Sequence, residues 1–280
     1  MADSFDKRVT PARPDLAASH LKGKVEADRF VEGQALQVHR GRITLWDSPY
    51  PGKRQDSELL WGDIFTVYDR VSGWAWGQSA MDGYVGWVDY DDVVPVFSGG
   101  GHHVTALMTP LLTKPDLKTP VWDMLPMNAQ VTVTGRESGY ACIAPNLYVY
   151  EKHLSSGPDA NDWVAIAERF VGVPYVWGGK TAAGLDCSGL IQTALQAVGK
   201  AAPRDTDMME KALGERTLET SEPLQRGDLV FWKGHMGVML DNHRLLHANA
   251  FHMLVAIEPL ADAIPRINAV AGPVTSVRRI

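Results

Sequence analysis

Short runs of alternating apolar and polar residues fill the chain from about residue 35 to residue 155. The runs 64–68, 74–78 and 84–88 are each bounded by Gly, Pro, Asp or Ser, a pattern typical of strands joined by tight turns. This region is predicted to be all-β. Residues 1–34 read as a polar lead-in with one short helix over 15–21, stopped by Gly23.

The pattern changes after residues 155–161, whose Ser, Gly, Pro, Asp and Asn content is that of a linker. Asp162 is placed to cap a helix over 163–171, and Gly199 to stop a second helix over 187–198. Strands are predicted at 229–232, 237–240, 245–248 and 274–278. The order predicts an α+β unit with its helices first and an antiparallel sheet after them.

An internal repeat lies inside the β-rich region. Thr66-Val67, Arg70, Ser72-Gly73 and Ala75 recur as Thr132-Val133, Arg136, Ser138-Gly139 and Ala141. The repeat predicts two copies of one small barrel, with chance similarity between two β-rich stretches as the alternative. The predicted domains are therefore 1–34, 35–97, 98–156 and 157–280.

Composition narrows the class of protein. The 280 residues are 45% hydrophobic with a net charge of -6, and no basic run is present, which argues against a nucleic-acid or membrane-surface binder. No apolar run is long enough for a transmembrane helix. Acidic residues near the N-terminus differ from a signal peptide, and two distant cysteines favour a reducing compartment, so a cytoplasmic location is expected.

Cys187 follows a glycine-rich stretch and begins the second predicted helix. A helix N-terminus favours a thiolate and is expected to lower the pKa of such a cysteine, which makes Cys187 a candidate nucleophile. The alternative is a buried structural thiol. Cys142 lies in a predicted strand, where a cysteine is usually a small core residue.

A cysteine nucleophile needs a base, and the chain has nine histidines. His235 begins one strand and His247 ends the next, so a hairpin turn near Asp241 would place them roughly opposite each other. This predicts a triad in which Cys187 attacks, His235 takes up and later returns the thiol proton, and His247 orients the His235 ring. A metal site on these two histidines, with His252 as a spare ligand, is the alternative; no metal or other cofactor is expected, because no motif completes a zinc shell.

Six sequence blocks, in this order along the chain, resemble those of a known protein family. They are Pro174-Tyr175-Val176-Trp177-Gly178-Gly179, Asp186-Cys187-Ser188-Gly189-Leu190, Pro203-Arg204-Asp205-Thr206, Gly227-Asp228-Leu229-Val230-Phe231-Trp232, His235-Met236-Gly237-Val238 and Leu246-His247-Ala248. Over about 160–280 the chain resembles the NlpC family of papain-like bacterial cell-wall cysteine peptidases. The run from Gly73 to Val88 resembles the bacterial SH3-like domains often attached to such enzymes.

The resemblance implies a fold and a site. The fold is α+β, with two small SH3-like β-barrels followed by a papain-like peptidase domain. By position, Cys187 matches the nucleophile, His235 the base, His247 the third polar residue and Tyr175 a tyrosine that stabilises the oxyanion. Asp186 and Ser188 match residues that bind the free amine of an N-terminal L-alanine; for Asp186 an N-cap is the equal alternative.

The family subgroup with SH3-like domains uses the first of them to wall the substrate cleft. Asp63 and Tyr84, at the ends of predicted strands, are the candidates for such contacts. Turn and barrel-surface roles are the alternative for both.

The resemblance implies a cysteine endopeptidase that hydrolyses the γ-D-glutamyl-diamino acid bond of free L-Ala-γ-D-Glu-diamino acid peptides, in murein peptide recycling. The alternatives are an amidase or acyltransferase acting on another amide, and a module that binds wall fragments while its Cys domain is inert. The expected partner is the peptide substrate, with no nucleic acid and no membrane. The oligomeric state is left open, with a monomer favoured.

Overall fold

A computed structural model describes residues 5–49, 54–97, 101–158, 162–216 and 223–280. The chain divides into two compact units, an N-terminal unit of Met1–Ser156 and a C-terminal unit of Gly157–Ile280. The predicted boundary at 97/98 and part of the predicted linker fall on residues 98–100 and 159–161, which lie outside the described residues.

The described part of the N-terminal unit consists of short strands with three 3₁₀ turns, Ser19–Leu21, Tyr90–Asp92 and Glu151–His153. The strands are β1 (Ala12–Arg13), β2 (Leu16–Ala18), β3 (Phe30–Val31), β4 (Gln34–Val38), β5 (Arg42–Trp46), β6 (Gln55–Leu60), β7 (Ile64–Val71), β8 (Trp74–Ser79), β9 (Val85–Asp89), β10 (Val93–Pro95), β11 (His102–Val104), β12 (Met108–Leu112), β13 (Val121–Pro126), β14 (Gln130–Val131), β15 (Gly135–Glu137), β16 (Tyr140–Ala144), β17 (Leu147–Tyr150) and β18 (Leu154–Ser155).

These strands form four sheets. A seven-stranded sheet has the order β10-β4-β7-β8-β9-β5-β6, and a five-stranded sheet the order β13-β12-β17-β16-β15. Two three-stranded sheets, β1-β2-β3 and β14-β11-β18, complete the unit as described. Because alternate side chains of a strand face the same way, each large sheet buries an apolar cluster, around Phe65 in the first and Leu111 in the second. The first sheet also buries Trp76, Val85 and Trp87 against Leu16 of β2.

The predicted repeat has a counterpart in two hairpins with the same turn. Ser72 and Gly73, which join β7 to β8, have φ of 50° and 86°. Ser138 and Gly139, which join β15 to β16, have φ of 51° and 82°. Positive φ at both central residues matches the right-handed twist of hairpin strands.

The predicted helix over 15–21 is wrong. Leu16, Ala17 and Ala18 form the buried strand β2, and only Ser19–Leu21 makes a 3₁₀ turn. The backbone N–H of Ala17 donates to Arg29 O at 2.9 Å, and β2 pairs with β3 in parallel. Pairing with a distant segment has overridden the local helix signal.

The C-terminal unit contains four helices and eight strands among its described residues. The helices are α1 (Trp163–Glu168), α2 (Cys187–Ala197), α3 (Thr206–Ala212) and α4 (Leu260–Ala271). The strands are β19 (Lys180–Thr181), β20 (Gly184–Leu185), β21 (Glu215–Arg216), β22 (Leu229–Trp232), β23 (His235–Met239), β24 (Arg244–Asn249), β25 (Leu254–Pro259) and β26 (Ser276–Arg279).

An antiparallel sheet of order β21-β26-β22-β23-β24-β25 forms the body of this unit. Helix α2 packs against β23 and β24, while Ala263 and Ile267 of α4 join the apolar cluster around Trp232. The predicted order of helices first is wrong in one respect, because α4 lies between the last two strands of the chain. No helix in the described ranges is long and apolar enough to cross a membrane.

Candidate active site

Helix α2 begins at Cys187 because Asp186 caps it. Asp186 is extended, with φ of -95° and ψ of 178°, and its Oδ1 accepts the backbone N–H of Gly189 at 2.6 Å. A side-chain acceptor at this position replaces a hydrogen bond that the first turn of a helix lacks. The N-cap alternative for Asp186 is confirmed, and it fixes the thiol at the first position of the helix.

The glycines on both sides of Cys187 are required by close backbone approach. A Cβ on Gly189 would lie 2.1 Å from Gly179 O, and a Cβ on Gly179 would lie 2.4 Å from Gly184 O. Gly178 has φ of 74°, in the left-handed region. The glycine-rich stretch therefore packs its main chain directly against the first turn of α2.

Arg204 holds the Asp186 carboxylate at the start of the helix. Its Nη1 donates to Asp186 Oδ1 at 3.0 Å and its Nη2 to Oδ2 at 2.6 Å, while Nη1 also donates to Ser188 Oγ at 2.9 Å. The Arg204 side chain is fully buried. A planar guanidinium suits this two-point contact with a carboxylate.

Cys187 is 7% exposed, and three groups surround its sulfur. Thr206 Oγ1 lies 3.7 Å from Sγ, and the other two groups act on the pKa of the thiol: the Asp186 carboxylate raises it and the Met236 backbone lowers it. Burial, and then the charge of Asp186, raise the pKa of the Cys187 thiol to about 11. The expected lowering by the helix N-terminus is therefore outweighed by the loss of solvation.

His235 and His247 form a hydrogen-bonded pair. His235 Nε2 and His247 Nδ1 are 2.8 Å apart. The register pairs Val238 with Leu246, which makes the two histidines diagonal neighbours rather than directly opposed. A Cβ on Gly237 would lie 3.0 Å from His247 Cβ, so the glycine leaves the space in which the rings meet.

Both imidazoles are neutral at physiological pH. Burial, and then the charges of His247 and Arg266, lower the pKa of His235 to about 3, against the opposing effect of Glu258. Burial lowers the pKa of His247 to about 4, although Glu258 opposes the shift. A neutral His235 can accept a proton, and the backbone of the next residue, Met236, acts on the Cys187 thiol.

Tyr175 borders the same site. Its backbone N–H donates to Met253 O at 2.9 Å, and it forms a parallel bridge with Leu185. Burial, and then the charges of Cys187 and Asp186, raise the pKa of the Tyr175 hydroxyl. The hydroxyl therefore stays protonated and able to donate a hydrogen bond at neutral pH.

Two positions that contact the site residues, Glu258 and Arg204, carry no local sequence signal of those contacts. His247 Nε2 lies 2.6 Å from Glu258 Oε1, and Arg266 pairs with the same carboxylate. Glu258 lies on β25, which had not been predicted, at a position diagonal to His247 in the β24–β25 register. Arg204 lay inside a quoted motif, but no local signal pointed to its contact with Asp186.

The remaining candidates are Asp63, Tyr84 and His252. Asp63 is buried and its Oδ2 accepts the Leu60 N–H at 2.9 Å; Tyr84 is buried in the apolar cluster of the N-terminal unit. His252 is exposed, and its backbone N–H donates to Asn249.

Both cysteines are free thiols. Within the described ranges, no cluster of three or more His, Cys, Asp or Glu side chains is arranged around a common point as metal ligands would be.

A capped thiol and a neutral imidazole pair are groups that a cysteine hydrolase requires. Residues 172–269 match the NlpC/P60 family, and residues 45–93 match the bacterial dipeptidyl-peptidase Sh3 domain. The C-terminal unit therefore contains an NlpC/P60 domain, of a family of cysteine peptidases, and a bacterial SH3 domain precedes it in the chain, as the resemblance implied.

Relatives agree with this assignment. The chain is 31% identical over 111 residues to a γ-D-glutamyl-L-lysine dipeptidyl-peptidase of Bacillus cereus, covering 37% of this chain and 32% of that protein. It is 39% identical over 88 residues to a probable endopeptidase NlpC homolog of Haemophilus influenzae, covering 30% and 46%. The matched region thus spans about a third to a half of these relatives' length.

A solved structure shares the fold over most of the chain. An NlpC/P60 family protein from Bacillus cereus superposes with a TM-score of 0.73, at 19% identity, covering 88% of this chain and 99% of that one. This likeness concerns the mixed α+β fold with its N-terminal SH3-like domain.

Removal of Arg204 should destabilise the C-terminal unit strongly. Arg204→Ala leaves a buried carboxylate without its cation, so we expect the free energy of unfolding to fall by about 3–5 kcal/mol. Arg226→Ala is the matched control, because its pairs with Asp162 and Glu168 are exposed and contribute about 0–1 kcal/mol. Urea unfolding measures both; equal losses would contradict the proposed importance of the Asp186 contact.

Stability should fall as the pH falls below about 6.5. In the unfolded chain His235 and His247 take up protons near that pH, whereas in the folded protein they do so only near 3 and 4. The unfolded state then binds more protons, and each histidine costs up to about 1.4 kcal/mol per pH unit. Unfolding measured from pH 7 to 5 should show a smaller slope in His247→Gln, and an unchanged slope in a variant of the exposed His20, His20→Gln.

Proposed function

We propose that the protein is a cysteine endopeptidase that hydrolyses the γ-D-glutamyl-diamino acid bond of free peptidoglycan peptides, during murein peptide recycling in the cytoplasm. The hydrogen-bonded His235–His247 pair beside the buried Cys187 is the observation that carries the proposal. The relative named for a γ-D-glutamyl-L-lysine bond supports the choice of substrate. The free state of both thiols is consistent with a reducing compartment.

The proposed reaction begins with transfer of the Cys187 proton to His235 as Sγ attacks the γ-carbonyl carbon of D-glutamate. Burial disfavours an isolated thiolate, so transfer and attack are coupled. The backbone N–H of Cys187, at the start of α2, and the protonated Tyr175 hydroxyl stabilise the oxyanion.

Breakdown of this intermediate completes the cycle. His235 returns the proton to the amine of the leaving diamino acid, which leaves a thioester on Cys187. A water molecule, deprotonated by His235, then attacks the thioester carbonyl. The products are L-Ala-D-Glu and the free diamino acid, and the thiol and the neutral imidazole are restored.

Selection of a free N-terminal amine by Asp186 and Ser188 forms part of the proposal. Asp186 already accepts hydrogen bonds from Gly178 and Gly189 backbone, from Arg204 twice and from the Ser188 hydroxyl at 3.2 Å. A carboxylate offers about four acceptor positions, so an ammonium must replace an existing donor. The Ser188 hydroxyl can rotate and is the donor most easily replaced.

The finer architecture and the cleft wall belong to the same proposal. We infer that the segments 35–97 and 98–156 are two SH3-like barrels, supported by their matching Ser-Gly hairpin turns. Asp63 and Tyr84 are proposed to shape substrate access from the first barrel.

Replacing the nucleophile should abolish cleavage. Cys187→Ala should lower kcat/KM for L-Ala-γ-D-Glu-diamino acid by at least ~1000-fold while the protein stays folded. Cys142→Ala, which removes the other free thiol, is the control and should keep full activity. The measurement is release of the diamino acid. If the wild-type protein, with Cys187 reduced, forms an acyl-enzyme only with other amides, that result would favour the amidase or acyltransferase alternative.

Ser188→Ala tests recognition of the amine. Loss of a hydrogen bond to an ammonium should raise KM for the free tripeptide by about 10-fold, with little effect on its N-acetylated form. Steady-state kinetics with the two peptides give the comparison. Equal changes for both would contradict a role of Ser188 in reading the amine, and a urea unfolding curve controls for loss of its Arg204 contact.

A further inference from the structure

The catalytic histidine pair continues into a longer hydrogen-bonded chain. His235 Nε2 lies 2.8 Å from His247 Nδ1, and His247 Nε2 lies 2.6 Å from Glu258 Oε1. Arg266 donates a hydrogen bond to the same Glu258 oxygen. The His247 side chain has no exposed surface, and the Glu258 and Arg266 side chains are 12% and 24% exposed. Four side chains from β23, β24, β25 and α4 therefore meet inside the unit.

The direction of each hydrogen bond follows from the carboxylate. An ionised carboxylate only accepts, so His247 must carry its proton on Nε2 when it bonds to Glu258. Its Nδ1 is then the acceptor for His235 Nε2–H. A neutral imidazole holds one proton, so His235 Nδ1 is left as the acceptor for the Cys187 proton. If each hydrogen bond ran in the opposite direction, His235 would carry its own proton on Nδ1, and that nitrogen could not accept the Cys187 proton.

We propose that Glu258, held by Arg266, is a positioning residue that fixes the tautomers of His247 and His235 so that His235 accepts the Cys187 proton. This inference rests on the proposed function only in taking His235 as the base. No part of it depends on the identity of the peptide substrate.

Charge supports the assignment. Burial would raise the pKa of Glu258, but the hydrogen bonds from Arg266 and then His247 outweigh it, and the pKa lies below its ordinary value. The titratable and charged groups acting on His247 are Glu258, Arg266 and His252, and His235 lies on its other side. Glu258 is thus the anion that offsets the imidazolium formed when His235 takes up a proton.

A purely structural role is the competing explanation. Glu258 is on β25 and Arg266 is on α4, so their ion pair also ties the helix to the sheet edge. Such a tie would affect stability without changing which imidazole nitrogen carries the proton. The test must therefore measure the histidine tautomers and the reactivity of the Cys187 thiol as well as activity.

The experiment compares three variants of the full chain. Glu258→Ala removes both the acceptor and the charge, whereas Glu258→Gln keeps an oxygen that can accept from His247 and Arg266 but lacks the charge. Glu210→Gln is the matched control, because Glu210 is half-buried and accepts a hydrogen bond from Ser276 Oγ at 2.6 Å in the same unit. Each is assayed for kcat and KM, for the rate of Cys187 alkylation by iodoacetamide against pH, and for histidine tautomers by ¹⁵N NMR.

We expect Glu258→Ala to lower kcat by roughly 10- to 100-fold with little change in KM, to slow alkylation, and to give mixed tautomers. Glu258→Gln should retain the tautomers and recover part of the rate. Glu210→Gln should match the wild type in all three readouts. Unchanged tautomers and alkylation in Glu258→Ala would overturn the inference, even where activity falls through instability.

The two proposals fail in different ways. A wild-type protein that alkylates at Cys187 in a Glu258-dependent manner but releases no diamino acid would refute the proposed substrate and support the positioning role. Release of the diamino acid with Glu258-independent tautomers and alkylation would do the reverse.

Discussion

The buried contact between Asp186 and Arg204 is the interaction on which the site depends. One carboxylate caps α2, receives the glycine-rich loop through Gly178 and pairs with a fully buried guanidinium. The position of Cys187, and the backbone N–H groups around it, follow from that arrangement. A buried ion pair is a costly way to gain stability, because both charges lose their hydration. Its value here is that it specifies one geometry at the helix start.

Burial sets the chemical state of the site. Cys187 is buried and His235 half-buried, and each is disfavoured as an isolated charge. Both groups are therefore neutral at rest, and in the proposed reaction charge separates only when a substrate carbonyl is present to receive the electrons of sulfur. In that proposal the donors at Cys187 N–H and Tyr175 meet a developing charge in a site of low polarity, where such contacts are strongest.

Local patterns sufficed for the elements that form the catalytic core. Helix α2, strand β22 and the hairpin of β23 and β24 lie where the capping residues and apolar runs predict them. Helix α4 was missed because Pro265 lies inside it and reads as a breaker. The strand at Leu16–Ala18 was missed because its partners are distant in sequence. In each case a tertiary contact decided what local propensity left open.

The residues of the candidate site also divide into those with a local sequence signal and those without one. Cys187, His235 and His247 carry signals in residue type and spacing. The structure joins the two histidines by a hydrogen bond, and the residue after His235, Met236, acts on the Cys187 thiol. Arg204 and Glu258 act through side chains that reach across elements, and nothing in their immediate sequence marks those contacts. The pKa of Cys187 was also mispredicted, since a helix N-terminus is visible in sequence but the extent of burial is not.

The backbone of Met236 is the main-chain group that acts on the Cys187 thiol, and it favours the ionised sulfur. Side-chain substitution at position 236 leaves the backbone N–H in place, and only proline would remove it. Met236 follows His235 on β23, so one strand carries both the imidazole and the group that acts on the thiol. The fully buried Met236 side chain can therefore be exchanged, and the packing behind the site changed with it, while the register of the sheet keeps both positions in place.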